Sequence, residues 1–288
     1  MKQTQSPLAI PETLRGTVPG RPSNLLPALL LLPPERRSDA LLFGEWCRFL
    51  DDIADQPGSA PSVRKATLEA WLEALSPQGE ERLPGDFLAM IRRRNLDRNL
   101  LREIVHGMLM DTDHDGKVRI RDQDELELYC RRVASAVGRV SATIFGARGE
   151  TAESYADHLG IALQLTNILR DVAEDASMNR IYIPGEDLER FGVMDEEILR
   201  GVDSPRMTHL LNHQAERADS WFAKAELAWS EMTPNQKRLM RPARMMSAVY
   251  RELLLAMHRD RYDVFARGYR VSGFRKLVLL LRVMTSKS

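Results

Sequence analysis

Apolar residues return every three or four positions along most of the chain, the period of helices with one buried face. Leu41, Leu42, Trp46, Phe49, Leu50 and Ile53 set that period from residue 35 onward, and the run Pro57-Gly58-Ser59-Ala60-Pro61 stops it. Residues 63–75, 84–91 and 99–110 predict three more helices. The pattern resumes over 126–145, where Ala134, Ser135, Ala136 and Gly138 permit either close helix approach or space for a ligand. Beyond a central helix near residue 170, short helices are expected at 186–191 and 195–199. A long one follows at 204–231, with Leu210, Leu211, Ala218, Trp221, Phe222, Ala225 and Leu227 inward. Pro234 and Pro242 open two more, the second bearing Met245, Val249, Tyr250, Leu253 and Met257. Strand-like alternation is scarce, with a short extended stretch at Ile181-Tyr182-Ile183, so the expected class is all-α.

One stretch breaks the usual rule that acids face water. Gln164, Asn167, Asp171 and Asp175 recur at spacings of three, four and four, so on a helix they share one face for about three turns. Leu165, Ile168, Leu169 and Val172 fill the rest of the period, which suggests a face lining a wet cavity. A second copy lies upstream, where Arg48, Asp51 and Asp55 follow the same spacing among aromatic and aliphatic neighbours. Two such helices facing each other make an oxygen-only site that favours Mg²⁺ over zinc. Arg48 and Arg170 are suited to bidentate grips on phosphate, so the pieces read as a metal–diphosphate site. The alternative is two solvated faces with ordinary i,i+4 charges.

Composition narrows the classes. The chain has 288 residues, 43% of them hydrophobic, enough for a substantial core. One domain is expected over 25–288, because the two acidic motifs must share a site; residues 1–24, with four prolines, read as a loose arm. Basic and acidic residues balance at 41 each, so nothing global points to nucleic acid. Cys47 and Cys130 fall inside apolar helical patterns and read as reduced core thiols of a cytoplasmic protein. No secretory signal or spanning run is visible. The last thirty residues carry eight basic residues against Asp260 and Asp263, a basic tail that is either solvated or laid on the inner face of an anionic membrane.

The stretch from Asp111 to Asp122 imitates a Ca²⁺ loop, with acids at positions one, three and five, Gly116 at six and Val118 at eight. Position twelve is Asp122 in place of glutamate, and Arg119 and Arg121 put positive charge beside the ion. A polar connection between helices is the preferred reading, and Ca²⁺ binding the alternative.

Two motifs carry a wider resemblance. Cys-Arg-Phe-Leu-Asp-Asp-Ile-Ala-Asp (47–55) and Gln-Leu-Thr-Asn-Ile-Leu-Arg-Asp-Val-Ala-Glu-Asp (164–175) resemble the two aspartate-rich motifs of the squalene/phytoene synthase family. Leu-Leu-Pro-Pro-Glu-Arg-Arg (31–37), Tyr-Cys-Arg-Arg-Val-Ala-Ser-Ala-Val-Gly (129–138) and Asn-Arg-Ile-Tyr-Ile-Pro (179–184) extend the likeness over about residues 25–276. The stretch 126–138 looks most like the bacterial presqualene diphosphate synthase branch that feeds hopanoid synthesis.

The resemblance implies a single-domain isoprenoid-synthase-type bundle around a central apolar cavity, joining two allylic prenyl diphosphates head to head. It implies Mg²⁺ held by Asp51, Asp55, Asn167, Asp171 and Asp175, and substrate bound by Arg48, Gln164, Arg170 and Tyr250. Asp51, Asp55, Asp171 and Asp175 are then catalytic, together with Tyr129, which the resemblance places in the cavity near the reacting carbons. Residues 177–184 become a flap over the diphosphates. NADPH is not expected if the reaction stops at presqualene diphosphate; phytoene synthase is the second reading, and squalene or dehydrosqualene synthase remains open. Arg21-Pro22-Ser23-Asn24-Leu25 departs from the family's usual Ser-x-Ser-Phe segment, and Gly44 stands where an aromatic is common. A non-catalytic helical scaffold is the reading those departures would favour.

Overall fold

The computed structural model describes residues 11–14, 26–56, 58–112 and 117–285. Helix follows helix: α1 (Leu26–Leu29), α2 (Pro34–Ala54), α3 (Pro61–Ala74), α4 (Gly85–Arg94) and α5 (Arg98–Thr112) come first. Strand β1 (Val118–Arg119) then leads to α6 (Gln123–Cys130), a π-helical turn at Arg131–Ser135, α7 (Ala136–Phe145) and α8 (Glu150–Ser177). Strand β2 (Arg180–Ile181) precedes α9 (Gly185–Phe191), α10 (Asp195–Leu199), α11 (Pro205–Glu231), α12 (Pro234–Leu239), α13 (Arg241–Arg259) and α14 (Gly273–Thr285). The helical expectation holds, and it holds to within a few residues at most ends because the punctuation is chemical. Pro34, Pro61 and Pro205 open helices where a missing N–H costs nothing. Ser204 and Thr233 accept from the backbone N–H groups of Met207 and Gln236 as N-caps.

The core is built on α8, a 28-residue helix about 42 Å long. α11 runs along it in the most extensive contact of the fold, and the π turn, α7 and α13 close other sides. Trp46, Trp71 and Phe87, all fully buried, lock α2, α3 and α4 together with ring centroids 4.9–6.2 Å apart. Both thiols are free, and burial pushes each well above its ordinary range. Two inward assignments fail: Leu41 and Leu227 are exposed. Trp221, Phe222, Ala225 and Ala228 complete the buried stripe of α11, which leaves Leu227 outside it.

Helices 126–145 are one rod interrupted by the π turn, which sits where α5 and α8 cross it. A Cβ on Gly160 of α8 would stand 2.7 Å from the Ser135 Cα and 2.8 Å from the Ala134 carbonyl oxygen. Gly107 of α5 is equally pressed, with Val133 Cγ1 2.6 Å from its would-be Cβ. The small residues therefore serve close approach here. Gly160→Ala is expected to cost about 1–3 kcal/mol by forcing backbone apart, read as a lower urea midpoint; an unchanged midpoint would refute the contact.

β1 and β2 pair in parallel, Val118 with Arg180 and Arg119 with Ile181. Arg119 reinforces the junction by donating to the Asn179 carbonyl oxygen at 2.7 Å, to Asn179 Oδ1 at 2.8 Å and to Asp195 at 2.6 Å. Segment 177–184 is thus tied at its base beside the C-terminal end of α8. The terminal basic stretch is not a tail within the described residues: α14 packs on α13 and α1.

Candidate active site

The acidic face of α8 meets the end of α2 near the loop after α8. Asp55, the C-cap of α2, receives the Arg180 guanidinium at 2.6 Å. Arg180 is buried, an outcome possible only because several carboxylates surround it. Asp111, the penultimate residue of α5 and 6% exposed, accepts from the Tyr182 hydroxyl at 2.7 Å and from the Tyr129 hydroxyl at 3.3 Å. The two tyrosine rings stack with centroids 5.0 Å apart.

Electrostatics record how crowded this end is. Burial pushes the Asp111 carboxyl up to about 7; Tyr182 and Arg180 oppose that, while Asp55 and Asp51 add to it. Burial also lifts Asp175, to about 8, with Asp171, Asp111 and Glu174 adding and Arg180 opposing. Asp51, Asp55, Asp111, Asp171 and Asp175 therefore share one field, spread over α2, α5 and α8. Tyr129 is raised as well, by burial first and by Asp111 second.

Arg170 does not stand open. Its Nε and Nη2 donate to the two oxygens of neighbouring Asp171 at 2.7 and 2.6 Å, and its field includes the Tyr250 hydroxyl. Burial alone would lower Arg170, but Asp171 outweighs it and holds the guanidinium above its ordinary value. The pair lines a 680 Å³ groove between α8, α13 and the segment 264–271, with Arg267, Arg270 and Lys276 opposite. Arg48 lies half-buried on α2, one turn ahead of Asp51.

An apolar cavity of 260 Å³ lies between the π turn, α7, α8 and α13. Val133, Gly138, Leu163 and Met246 are among its walls, and Gln164, Asn167 and Tyr250 give it a polar edge. Ala134 and Gly138 line this space, so the small residues of 134–138 serve both roles left open by the sequence. Tyr129 is not part of that wall; the structure sets it against Asp111 and Tyr182 instead, because the π turn separates it from the cavity-lining residues. A Cβ on Gly44 meets nothing within 4 Å, so that departure leaves open space, and residues 21–25 lie outside the described residues.

The donor set fits a hard divalent cation. Among the described residues no three His, Cys, Asp or Glu side chains already enclose a metal position. Asn167 Oδ1, however, is buried with no hydrogen-bond partner, while its Nδ2 donates to Gln164 Oε1 at 3.4 Å. An orphaned buried oxygen next to mutually repelling carboxyls is the arrangement that a cation, completed by waters and phosphate oxygens, would satisfy.

Asp111, Arg180 and Tyr182 join the site without being among the individually expected site residues; Arg180 and Tyr182 fall in the stretch 177–184 expected as a flap over the diphosphates. The signal was present for two of them: in an extended segment Arg180 and Tyr182, two apart, share a face. Asp111 had been set in the Ca²⁺-loop imitation, which loses both ends here. Its first acid is committed to tyrosines, and Asp122 caps α6 by accepting from Glu125 N at 2.9 Å. Positions 113–116 lie outside the described residues.

The sequence model of the squalene/phytoene synthase family matches residues 22–275. A presqualene diphosphate synthase of Sinorhizobium fredii is 35% identical over 254 residues, 87% of this chain and 89% of that protein. A 15-cis-phytoene synthase of Synechococcus elongatus is 32% identical over 267 residues, covering 87% and 84% of the two chains. A crystal structure of a dehydrosqualene synthase in complex with ligand superposes with a TM-score of 0.76 at 25% identity, over 91% of this chain and 90% of that one.

Proposed function

Because the chain belongs to the squalene/phytoene synthase family, we propose that it joins two farnesyl diphosphates head to head to form presqualene diphosphate. The observation that carries this reading is the apolar cavity whose polar edge, Gln164, Asn167 and Tyr250, adjoins the carboxylate end of α8. Prenyl chains belong in the first and diphosphates beside the second. Asp51, Asp55, Asn167, Asp171 and Asp175 would hold Mg²⁺, which when bound supplies the positive charge that makes diphosphate a better leaving group.

The chain's own groups do the rest. Arg48, Arg170, Gln164 and Tyr250 bind and orient the diphosphates, Arg170 exchanging its grip on Asp171 for a phosphate. The C1–O bond of one substrate breaks, C1 bonds to the 2,3-double bond of the other, and one proton leaves as the cyclopropane closes. Electrons balance without a reductant, so NADPH has no part in this step. Tyr129 is the catalytic tyrosine: set at the diphosphate end, outside the chain-binding wall, its hydroxyl is assigned to take that proton while passing its own to the ionised Asp111 carboxylate, to which it already donates. The aliphatic walls of the cavity keep water from the cation. The segment 177–184, carrying Arg180 and Tyr182, covers the diphosphate end.

Similarity to a phytoene synthase supports a second reading with two C20 diphosphates. The test is purified protein with Mg²⁺ and either C15 or C20 diphosphate, with and without NADPH, products resolved before and after phosphatase. Presqualene alcohol, seen only after phosphatase and regardless of NADPH, is the expected result. Phytoene from C20 would replace the assignment, and no product from either substrate would end it. We place the reaction in the cytoplasm, against the inner membrane face.

A further inference from the structure

Helix α14 is apolar nearly all round yet covered on one side only. Leu279 and Val283 turn inward and are buried, while Phe274, Leu277, Leu281 and Met284 stand 77%, 52%, 53% and 49% exposed. At 100° per residue these four fall within an 80° outer stripe. Arg275 and Arg282, seven residues apart, lie together on one flank, about 80–100° round the helix from Phe274 at the stripe's near edge. Arg275 is partly neutralised by Glu252, to which it donates at 2.6 and 3.2 Å; Arg282 is exposed. Leu255 of α13, on which α14 packs, is a further exposed apolar side chain. No helix among the described residues is long and apolar enough to cross a membrane.

From this face we infer that α14 is an interfacial helix that seats the protein on an anionic phospholipid bilayer, its apolar stripe in the acyl boundary and its arginines among the headgroups. Charge selects that occupant. Residues 259–288 contain eight basic and two acidic residues, a surplus of six in a chain whose net charge is zero. A stripe of exposed phenylalanine, leucine and methionine flanked by cations complements an anionic surface in both polarity and charge. The orientation has a use: Lys276, half-turned inward on the same helix, lines the groove that reaches Arg170 and Asp171. A prenyl chain leaving the lipid meets the diphosphate end first. That use rests on the prenyltransferase reading, whereas the docking does not.

Co-sedimentation of the full chain, without substrate, with vesicles of phosphatidylcholine alone or with phosphatidylglycerol added tests it. Binding to the anionic vesicles is expected to be at least about tenfold stronger and to weaken with salt. Phe274→Ser with Leu277→Ser is expected to reduce it about tenfold or more, and Arg282→Gln about fivefold. Both variants should keep full turnover in detergent, which shows that they fold. Equal binding to both vesicles, no binding, or full binding by the serine variant would overturn the inference. So would a lipid-free dimer that the serine substitutions dissociate, because a second copy would then be the occupant. Loss of turnover in the unaltered protein would bear on the catalytic reading alone.

Discussion

Asp171→Asn is expected to lower kcat/KM on prenyl diphosphates by about a thousandfold, near 4 kcal/mol of transition-state stabilisation. Asparagine keeps the shape but loses the charge, and it loses it at two contacts. A bound Mg²⁺ would lose the anionic oxygen proposed for it, and Arg170 loses the bidentate partner that aims it between the groove and Tyr250. The fall should fall mostly on kcat, and the Mg²⁺ concentration for half-maximal rate should rise. Asp171→Glu, which retains the charge at greater reach, should recover part of the rate. Steady-state kinetics over a Mg²⁺ titration decide it: a variant within tenfold of wild type with unchanged metal dependence would remove Asp171 from the site.

Asp175→Asn is expected to stabilise the metal-free protein at pH 8 by about 2 kcal/mol while cutting turnover by about a hundredfold or more. The sign follows from where the proton sits. In the folded chain Asp175 holds its proton up to about pH 8, whereas in the unfolded chain it gives it up near the ordinary value of 3.8. Between those limits the folded state binds the extra proton, so stability falls as pH rises, from full below about 4 to its lowest near 8. Asparagine has no proton to lose and escapes the fall. Wild type and variant should therefore unfold alike at pH 4 in urea and diverge progressively toward pH 8. Mg²⁺ should reverse the order at pH 8, stabilising the wild type by occupying the repelling carboxyls. A variant no more stable at pH 8 than at pH 4, relative to wild type, would show that Asp175 is not held under repulsion.

Much of this was readable in the chain, for reasons that can be assigned to particular residues. The acidic faces of α2 and α8 were legible because helical spacing alone puts Asp51 with Asp55, and Asp171 with Asp175, on one side. Prolines and glycines marked most helix ends. Asp111 was not legible in its actual role: its partners lie 18 and 71 residues away, and local pattern made it look like a loop ligand. Arg180 is buried only because Asp55, Asp111 and Asp175 come from three helices, a fact of packing that no local spacing encodes. Leu227 shows the converse, since its apolar character groups it with the inward set although the packing of α11 leaves it exposed. The exposed face of α14 required knowing which side α13 had already taken.

The π turn at Arg131–Ser135 also acts as a phase shifter. A uniform α-helix advances 100° per residue and would fix the bearing of Tyr129 relative to Val133, Ala134 and Gly138 once and for all. The wider turn absorbs a residue and resets that bearing. One continuous rod can therefore point its tyrosine at Asp111 and its small side chains at the cavity. Wound as a uniform α-helix with the same number of residues, the rod would instead turn Tyr129 by roughly 100° against the side chains beyond the bulge. Winding, as much as residue identity, therefore decides what this rod presents to each side.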